Sequence, residues 1–349
     1  MKISMQIGYS GGFAESVAQV QALEKAGLDI VYVAEAYGYD AVSLMGYLAA
    51  VTDTVHIASG ILPIYTRTPT LIAMTAAGVD ELSEGRCILG LGASGPQVIE
   101  GFHGVAYDAP IQRTREIIDI CRKVWKREEP VVHDGKKFQL PLPADQGTGL
   151  GKPLKMITHP RRSDIPIHVA SLGPKNVELT AELADGWLPI LFHPERAADV
   201  WGPDLAKGAA KRPSDLPPMD TIAGGLLAIG PESEVAGYRD FARAMVALYV
   251  GGMGARGKNF YNDLMQRYGY EAEAKEIQDL YLDGKKAEAA AAVPSSFLEE
   301  TSLCGDEGYV RDRIAQFKDA GVTVLNVTPI AKDLAGQAAL IEKVKELSA

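Results

Sequence analysis

Hydrophobic and polar positions along the chain follow a repeated unit. In three segments, 22–35, 181–191 and 314–329, apolar residues recur at i, i+3 and i+4 up to a glycine, and a run of apolar residues follows. The glycine suits a helix C-cap, which needs a positive φ. A strand that is apolar on both faces suits a parallel sheet covered by helices. The unit therefore predicts alternating helices and parallel strands.

The unit recurs at both ends and in the middle of the chain, which predicts a (β/α)8 TIM barrel. A doubly wound open sheet is the alternative, but no glycine-rich fingerprint follows the first strand. The 349 residues accommodate one barrel of about 250 residues with insertions. The eight predicted strands are 3–7, 30–33, 55–61, 87–91, 167–170, 187–191, 222–229 and 323–327.

Two segments interrupt the repeat. Residues 128–164 are polar and rich in glycine and proline, and we expect them to cross one end of the barrel. Residues 232–293 are rich in alanine, glutamate and lysine, which predicts a helical insertion that serves as a lid or a dimer contact. No composition change marks a domain boundary, so we expect one domain over 1–349.

Composition excludes several classes of function. The net charge is −10 and no Lys/Arg run is dense, so nucleic-acid binding is not expected. No apolar run is long enough to span a bilayer and the N-terminus does not resemble a signal peptide. Three widely spaced cysteines favour a reducing, cytoplasmic location without disulfides. HExxH, GxSxG and Walker A motifs are absent from the sequence, so no metal is expected.

The active site of a (β/α)8 barrel lies at the C-terminal ends of its strands. Glu35 follows strand 2 and is either a site residue or is neutralised by a neighbour. Tyr65 and Arg67 follow strand 3, and Arg67 is available either to an acidic ligand or to a surface carboxylate. His193 follows strand 6. We therefore treat all four as candidate site residues.

Two loops have the composition of ligand-binding loops. The sequence LGLGASGPQVIEG (89–101) contains Gly90, Gly92 and Gly95, which would let a ring or phosphate approach the backbone; a tight loop is the alternative. In ASLGPKNVEL (170–179), Pro174 begins a helix whose N-terminal amides would bind an anion, with Lys175 beside them. A plain helix start is the alternative there.

Five segments together resemble the luciferase-like monooxygenase superfamily, and specifically its branch that depends on the deazaflavin coenzyme F420. They run in order along the whole chain. The matching segments are EKAGLDIVYVAEAYGYDAVS, TVHIASGILPIYTRTPTLIAMTAAGVDELSEGRCILGLGASGPQVIEGFHG, RTREIIDICRKVW, IPIHVASLGPKNVELTAELADGWLP and SLCGDEGYVRDRIAQFKDAGV.

The resemblance implies a barrel with an insertion, usually a homodimer, that binds coenzyme F420 in the barrel mouth. The deazaflavin C5 would exchange hydride with a small-molecule organic substrate. An FMN-dependent monooxygenase of the same superfamily is the alternative, and a barrel that only stores a cofactor is a third. The cations Arg67, Lys152, Lys155, Arg161, Arg162 and Lys175 favour F420, because its polyglutamyl tail is anionic.

The resemblance also assigns residues, including a non-prolyl cis peptide between Gly60 and Ile61. Several relatives have a proton-donating histidine where this chain has Ala36, and Pro96 occupies the place of a catalytic glutamate, with Glu100 one turn on. The expected catalytic residues are Glu35, Glu100 and His193. The expected cofactor-binding residues are Glu35, Gly60, Ile61, Tyr65, Arg67, Ser94, Gly95, Gln97, Ser171, Leu172, Gly173, Lys175 and Asn176.

Overall fold

Eight parallel strands pair in chain order, and the last strand pairs with the first. A computed structural model describes residues 1–8 and 12–349. The ring of pairs is closed, so the predicted (β/α)8 TIM barrel is confirmed. The barrel strands are β1 (Lys2–Ile7), β2 (Ile30–Val33), β3 (His56–Ser59), β4 (Cys87–Gly92), β5 (Ile167–Ala170), β6 (Gly186–Trp187), β7 (Asp220–Ala223) and β8 (Val324–Asn326).

The alternation of side chains along each strand separates an inner core from an outer one. Ile30 and Tyr32 of β2 belong to the inner cluster, whereas Val31 and Val33 belong to the large cluster that includes the helices. Inside the barrel the Tyr32 hydroxyl lies 2.9 Å from Nδ1 of His168. Burial lowers the pKa of His168 to about 4, so this pair is a neutral part of the core at pH 7.

The helices follow the strands and cover the outside of the barrel. Several begin at residues that favour helix starts: Asp40 and Thr68 accept hydrogen bonds from the first-turn amides of the two helices that follow β2 and β3. The helices are α1 (Phe13–Lys25), α2 (Ala41–Val51), α3 (Pro69–Leu82), α4 (Pro96–Gly101), α5 (Pro110–Lys126), α6 (Pro174–Leu183), α7 (Ala197–Ala209), α8 (Glu232–Arg239), α9 (Arg243–Ala247), α10 (Phe260–Arg267), α11 (Glu271–Leu282), α12 (Lys286–Ala291), α13 (Ser295–Glu300), α14 (Glu307–Asp319) and α15 (Leu334–Leu347).

The predicted strand 222–229 is two strands with different partners. Residues Asp220–Ala223 stay in the barrel, whereas Leu226–Ile229 pairs with Leu303–Gly305 and Thr328–Pro329 outside it. The break occurs at two glycines that other backbone segments approach closely. A Cβ at Gly224 would lie 2.2 Å from the Asn326 carbonyl oxygen, and one at Gly225 would lie 2.1 Å from that of Thr301. Periodicity along one strand does not reveal such an approach.

Other boundaries also differ from the prediction. The predicted strand 55–61 ends at Ser59, and the predicted strand 187–191 is reduced to Gly186–Trp187. The helices of the predicted insertion at 232–293 continue to Glu300. In the described part of the chain no helix combines the length and apolarity needed to cross a membrane. The single-domain organisation over 1–349 stays a prediction.

Residues 128–164 connect α5 to β5 and contain a short hairpin of His133–Asp134 with Gln139–Leu140. The two ends of this helix-to-strand connection lie at the N-terminal end of the barrel strands, opposite the mouth. Its hairpin extends along α5 toward the mouth, where Lys137 pairs with Asp108. At the N-terminal end, Arg162, just before β5, binds to Asp80, whose side chain is completely buried. Its Nε donates to both carboxylate oxygens of Asp80, at 3.0 and 3.1 Å, and its Nη2 donates to the Cys87 carbonyl at 2.7 Å.

We expect Arg162→Met to destabilise the protein by about 3–5 kcal/mol, because it leaves the buried Asp80 carboxylate without its cation. Arg161→Met is the matched control: Arg161 is the preceding residue, its guanidinium lies 3.9 Å from Glu81, and both side chains are exposed. The control should change stability by less than about 0.5 kcal/mol. Urea unfolding measures both. Equal stabilities of the two variants would contradict this assignment.

Candidate active site at the barrel mouth

Glu35 and Arg67, both predicted from their positions after β2 and β3, form an ion pair at the mouth. Nη2 of Arg67 donates to Oε2 of Glu35 at 2.8 Å, and the Ala41 amide donates to the same oxygen at 2.9 Å. Only 9% of the Glu35 side chain and 14% of the Arg67 side chain are exposed. The hydrogen bond from Arg67 to Glu35 raises the pKa of the guanidinium. Glu35 is thus neutralised by a neighbour and also holds the start of α2.

The end of β3 contains the predicted cis peptide between Gly60 and Ile61, which is confirmed. The Gly60 amide donates to the Val33 carbonyl at 2.7 Å, and the Gln6 side chain donates to the Gly60 carbonyl at 3.3 Å. A Cβ at Gly60 would lie 2.8 Å from Cβ of Tyr32, so a glycine is required at this approach. The contact of Gly60 and Ile61 with a cofactor stays a prediction.

The glycines of β4 have a packing role that the sequence did not reveal. A Cβ at Gly90 would lie 1.8 Å from the Ser59 carbonyl oxygen, and one at Gly92 would lie 2.7 Å from Cγ1 of Ile61. These two glycines therefore allow β3 and its continuation to pack against β4. The approach of a ring or phosphate to Gly90 and Gly92 stays a prediction.

The loop beyond β4 remains available to a ligand. Ser94 has a positive φ of 58°, a conformation uncommon for a residue with a side chain, and Ser94 and Gln97 are exposed. Gly95 is the N-cap of the short helix α4 and has no side-chain cap. Glu100, at the end of α4, is also exposed, and its Oε1 accepts a hydrogen bond from the Tyr107 amide at 3.1 Å.

Two buried tryptophans orient the loop after β5. The indole of Trp187 donates to the Ser171 carbonyl at 2.9 Å, and the indole of Trp201 donates to the Leu172 carbonyl at 3.1 Å. Because both carbonyls accept hydrogen bonds from buried indoles, the backbone that leads into α6 is held in one position. Ser171 itself is buried, with its Oγ 2.8 Å from Oγ1 of Thr180. Sequence reasoning missed both tryptophans, although a buried indole usually has a hydrogen-bond partner.

The N-terminus of α6 fits an anionic group. Gly173 is its N-cap, provides no side-chain hydrogen bond, and a Cβ built there would meet no atom within 4 Å. Lys175 is exposed, with no ion-pair partner in the described residues. Oδ1 of Asn176 is buried without a hydrogen-bond partner in the same set. Uncapped first-turn amides, open space and a free cation are the features of a phosphate site.

His193 is not presented to the mouth, which corrects its predicted catalytic position. It is completely buried, with Nε2 2.7 Å from Glu300 and Nδ1 3.2 Å from Glu195. Its ring packs on Tyr268, and Arg313 forms an ion pair with Glu195. Burial lowers the pKa of His193, and the two carboxylates oppose this effect.

The ligand atoms of His193, Glu195 and Glu300 lie within 4.8 Å of one another, a spacing compatible with a metal ion. Arg313 already supplies positive charge to this cluster. The cluster joins the loop after β6 to α13 and α14, so we interpret it as a structural ion network. The absence of a functional metal stays a prediction.

Tyr65 also has a structural role. Only 8% of the residue is exposed, its hydroxyl donates to the Asp108 carbonyl at 2.9 Å, and Arg113 lies 5.2 Å from its ring centroid. Burial raises the pKa of the hydroxyl, so Tyr65 remains protonated. Because the Tyr65 hydroxyl is already hydrogen-bonded, its expected contact with a cofactor would have to be made by the edge of the Tyr65 ring.

Three basic residues of the 128–164 segment, Lys155, Arg161 and Arg162, lie at the end of the barrel opposite the mouth. Arg162 is paired with Asp80 and Arg161 lies near Glu81, both at the C-terminal end of α3. Lys155 donates to the Glu128 carbonyl. The expectation that these three cations bind the glutamyl tail is wrong, because they lie beside the C-terminal ends of α3 and α5. The expected role of Lys152 stays a prediction. Lys175 and Arg67, also of that set, lie at the mouth.

Comparison with known proteins agrees with this architecture. Residues 1–324 match the luciferase-like monooxygenase family. A candidate coenzyme F420-dependent oxidoreductase of Mycobacterium tuberculosis is 42% identical over 100% of this chain and 98% of its own. The F420-dependent tetrahydromethanopterin reductase of Methanopyrus kandleri has a TM-score of 0.77 at 22% identity, covering 98% of this chain and 96% of its own. An F420-dependent secondary alcohol dehydrogenase has a TM-score of 0.75 at 18% identity, with full coverage of both chains. The chain belongs to the luciferase-like monooxygenase family.

Proposed function

We propose that the protein is a coenzyme F420-dependent oxidoreductase that transfers a hydride between the deazaflavin C5 and a small organic substrate. The observation that carries the proposal is the uncapped N-terminus of α6, where Gly173 opens onto space and Lys175 has no described partner. Each of the three compared proteins is named as F420-dependent. Two observations therefore support a phosphate-bearing cofactor: the helix N-terminus suits a phosphate, and the compared proteins are named for such a cofactor.

Different residues at the mouth would bind different parts of this cofactor. Gly173, Lys175 and Asn176 would bind its phosphate. Gly60 and Ile61 would lie behind its ring, and the loop after β4 would contact the ring and ribityl chain through Ser94, Gly95 and Gln97. When bound, the deazaflavin supplies the site that gives or accepts hydride. The protein orients the ring, excludes water and provides fixed charges around it.

The Glu35–Arg67 pair would stand at the ring edge. Arg67 and the Ala41 amide hold the Glu35 carboxylate in a fixed position, and we take Glu35 as the candidate that accepts a proton from a substrate hydroxyl or polarises the reacting centre. Glu100 is exposed at the same end and is the second candidate for proton transfer. His193 is no longer a candidate, because it is buried between Glu195 and Glu300.

We also propose a homodimer in the cytoplasm. Leu71, Met74 and Leu82 form an exposed apolar stripe along α3, and Tyr47 of α2 is 46% exposed. A second copy of the chain would cover this surface. The three cysteines are free and buried, which suits a reducing compartment.

Titration of the protein with F420 and with FMN tests the proposed function. We expect F420 to bind about tenfold more tightly at low salt, because exposed carboxylate–cation pairs contribute only about 0–1 kcal/mol each. Among the described residues, the exposed cations Lys175, Arg196 and Lys332 lie on or directly after strand-to-helix loops and are available to the tail. The preference should fall as salt rises.

The deazaflavin riboside without phosphate or tail is the control ligand. It should bind weakly and without dependence on salt, because the ring pocket alone would hold it. Equal affinities for F420 and FMN, or a tighter complex with FMN at low salt, would instead support the FMN-dependent monooxygenase. Binding of F420 without turnover of any acceptor would support a storage barrel.

Lys175→Ala should weaken F420 binding about 10- to 150-fold, the cost of one charge-assisted hydrogen bond to phosphate. Turnover at saturating cofactor should change less. Lys126→Ala is the control, since Lys126 is exposed at the end of α5, on the opposite side of the barrel. Fluorescence titration measures the affinities. Unchanged affinity in Lys175→Ala would mean that backbone amides alone hold the phosphate.

Glu35→Gln should lower turnover by about 10²–10⁴-fold if Glu35 transfers a proton, with a much smaller effect on F420 affinity. The single variant also leaves Arg67 half-buried without its carboxylate, so its stability must be measured. The double variant Glu35→Gln/Arg67→Met removes that uncompensated charge. If the double variant recovered turnover together with stability, Glu35 would be a positioning residue and Glu100 the remaining proton-transfer candidate.

A further inference from the structure

The barrel mouth has an exposed aromatic surface on the side of β1, β2 and β4. Tyr37, Tyr39 and Phe102 are 68%, 75% and 64% exposed. The Tyr37 and Phe102 ring centroids are 6.2 Å apart, and Phe13 contacts Tyr39 edge-on at 5.4 Å. We call these four residues the aromatic rim. Single exposed aromatic residues are ordinary on a protein surface, whereas exposed apolar side chains that contact one another often mark a binding site.

The aromatic rim lies beside the proposed cofactor site. Phe13 begins α1, Tyr37 and Tyr39 lie between β2 and α2, and Phe102 follows α4. All four lie in strand-to-helix connections or at the helix start that follows one, and these connections meet at the C-terminal end of the barrel. Tyr37 is two residues beyond Glu35. The phosphate site, in contrast, lies at the end of β5, so the two surfaces occupy different parts of the mouth.

The loop that carries the two tyrosines is anchored at both ends. Glu35 is bound by Arg67 and by the Ala41 amide. Asp40 accepts hydrogen bonds from the amide and hydroxyl of Ser43, at 2.9 and 2.8 Å. On the other side His103 packs edge-on against Phe102, with ring centroids 5.1 Å apart. The aromatic rings are therefore presented on fixed backbone while their faces remain in solvent, which is the arrangement of a preorganised binding surface.

The charges around the aromatic rim disfavour an anionic ligand. Arg67, the cation next to the loop, is already bound to Glu35. Asp40 lies directly after Tyr39, and the exposed Glu100 lies two residues before Phe102. In the described ranges 1–8 and 12–349, these rim loops offer no cation free of a carboxylate. A negatively charged substrate would meet two carboxylates and no available positive partner.

We propose that the aromatic rim is the substrate-binding surface and that the substrate is an uncharged organic molecule with a flat apolar face. To cover Tyr37 and Phe102 together, the molecule must span their 6.2 Å separation, which requires two fused rings or a longer apolar group. This inference rests on the proposed function, because it assigns the rim to the substrate of the same site.

Binding of three probes to the F420-saturated protein tests the inference by calorimetry. The probes are 2-naphthol, naphthalene-2-sulfonate, which has the same rings with a negative charge, and phenol, which has one ring. We expect 2-naphthol to bind about tenfold more tightly than either of the others. Saturation with F420 is established first by its absorption spectrum, so a protein that fails to bind F420 contradicts the proposed function rather than the rim assignment.

Phe102→Ser and Tyr37→Ser should each weaken 2-naphthol binding about tenfold while leaving F420 affinity within about threefold. Ile157→Ser is the control, because Ile157 is 96% exposed on the segment at the opposite end of the barrel. The rim assignment is wrong if 2-naphthol does not bind, if the sulfonate binds as tightly, or if the variants leave its affinity unchanged. A rim variant that alters the molecular mass in solution but not naphthol affinity would show a subunit contact instead.

Discussion

The pairing of β1 with β8 closes the sheet, and the position of every candidate site residue depends on this closure. Ser4 lies opposite Asn326 in the register, and its Oγ donates to Oδ1 of Asn326 at 3.0 Å. Just beyond β8, the Val327 amide donates to the Ser4 carbonyl at 2.8 Å. Because all eight strands are parallel, closure brings every strand-to-helix loop to one end. Residues far apart in sequence therefore surround one mouth.

Ion pairs with limited exposure hold both ends of this barrel in fixed geometry. At the mouth, Glu35 and Arg67 join the connections after β2 and β3. At the opposite end, Arg162 joins the start of β5 to Asp80 of α3. Such pairs contribute little net stability compared with apolar packing, but the loss of one partner is costly. Their role is to restrict the loops to one arrangement.

The mouth combines two chemically distinct surfaces. The end of β5 offers uncapped amides and Lys175, which suit a phosphate, whereas the loops after β2 and β4 expose aromatic rings beside carboxylates. A cofactor that is anionic at one end and aromatic at the other can lie between them. The separation of charge from apolar surface explains how one opening could accept both an anionic cofactor and a neutral substrate.

The sequence by itself determined the barrel, the helix start at Pro174 and the cis peptide after β3, because periodicity, capping residues and family segments are local signals. The sequence also identified Glu35 and Arg67 as candidate site residues, but it did not predict that they form an ion pair with each other. Only the tertiary structure decided that β3 fills the space beside Gly90 and Gly92, that His193 is buried between Glu195 and Glu300, and that Arg162 binds Asp80. Apart from the neighbours His193 and Glu195, these contacts join residues separated by 31 to 107 positions along the chain, so their partners are set by the packing of the closed barrel and not by local pattern.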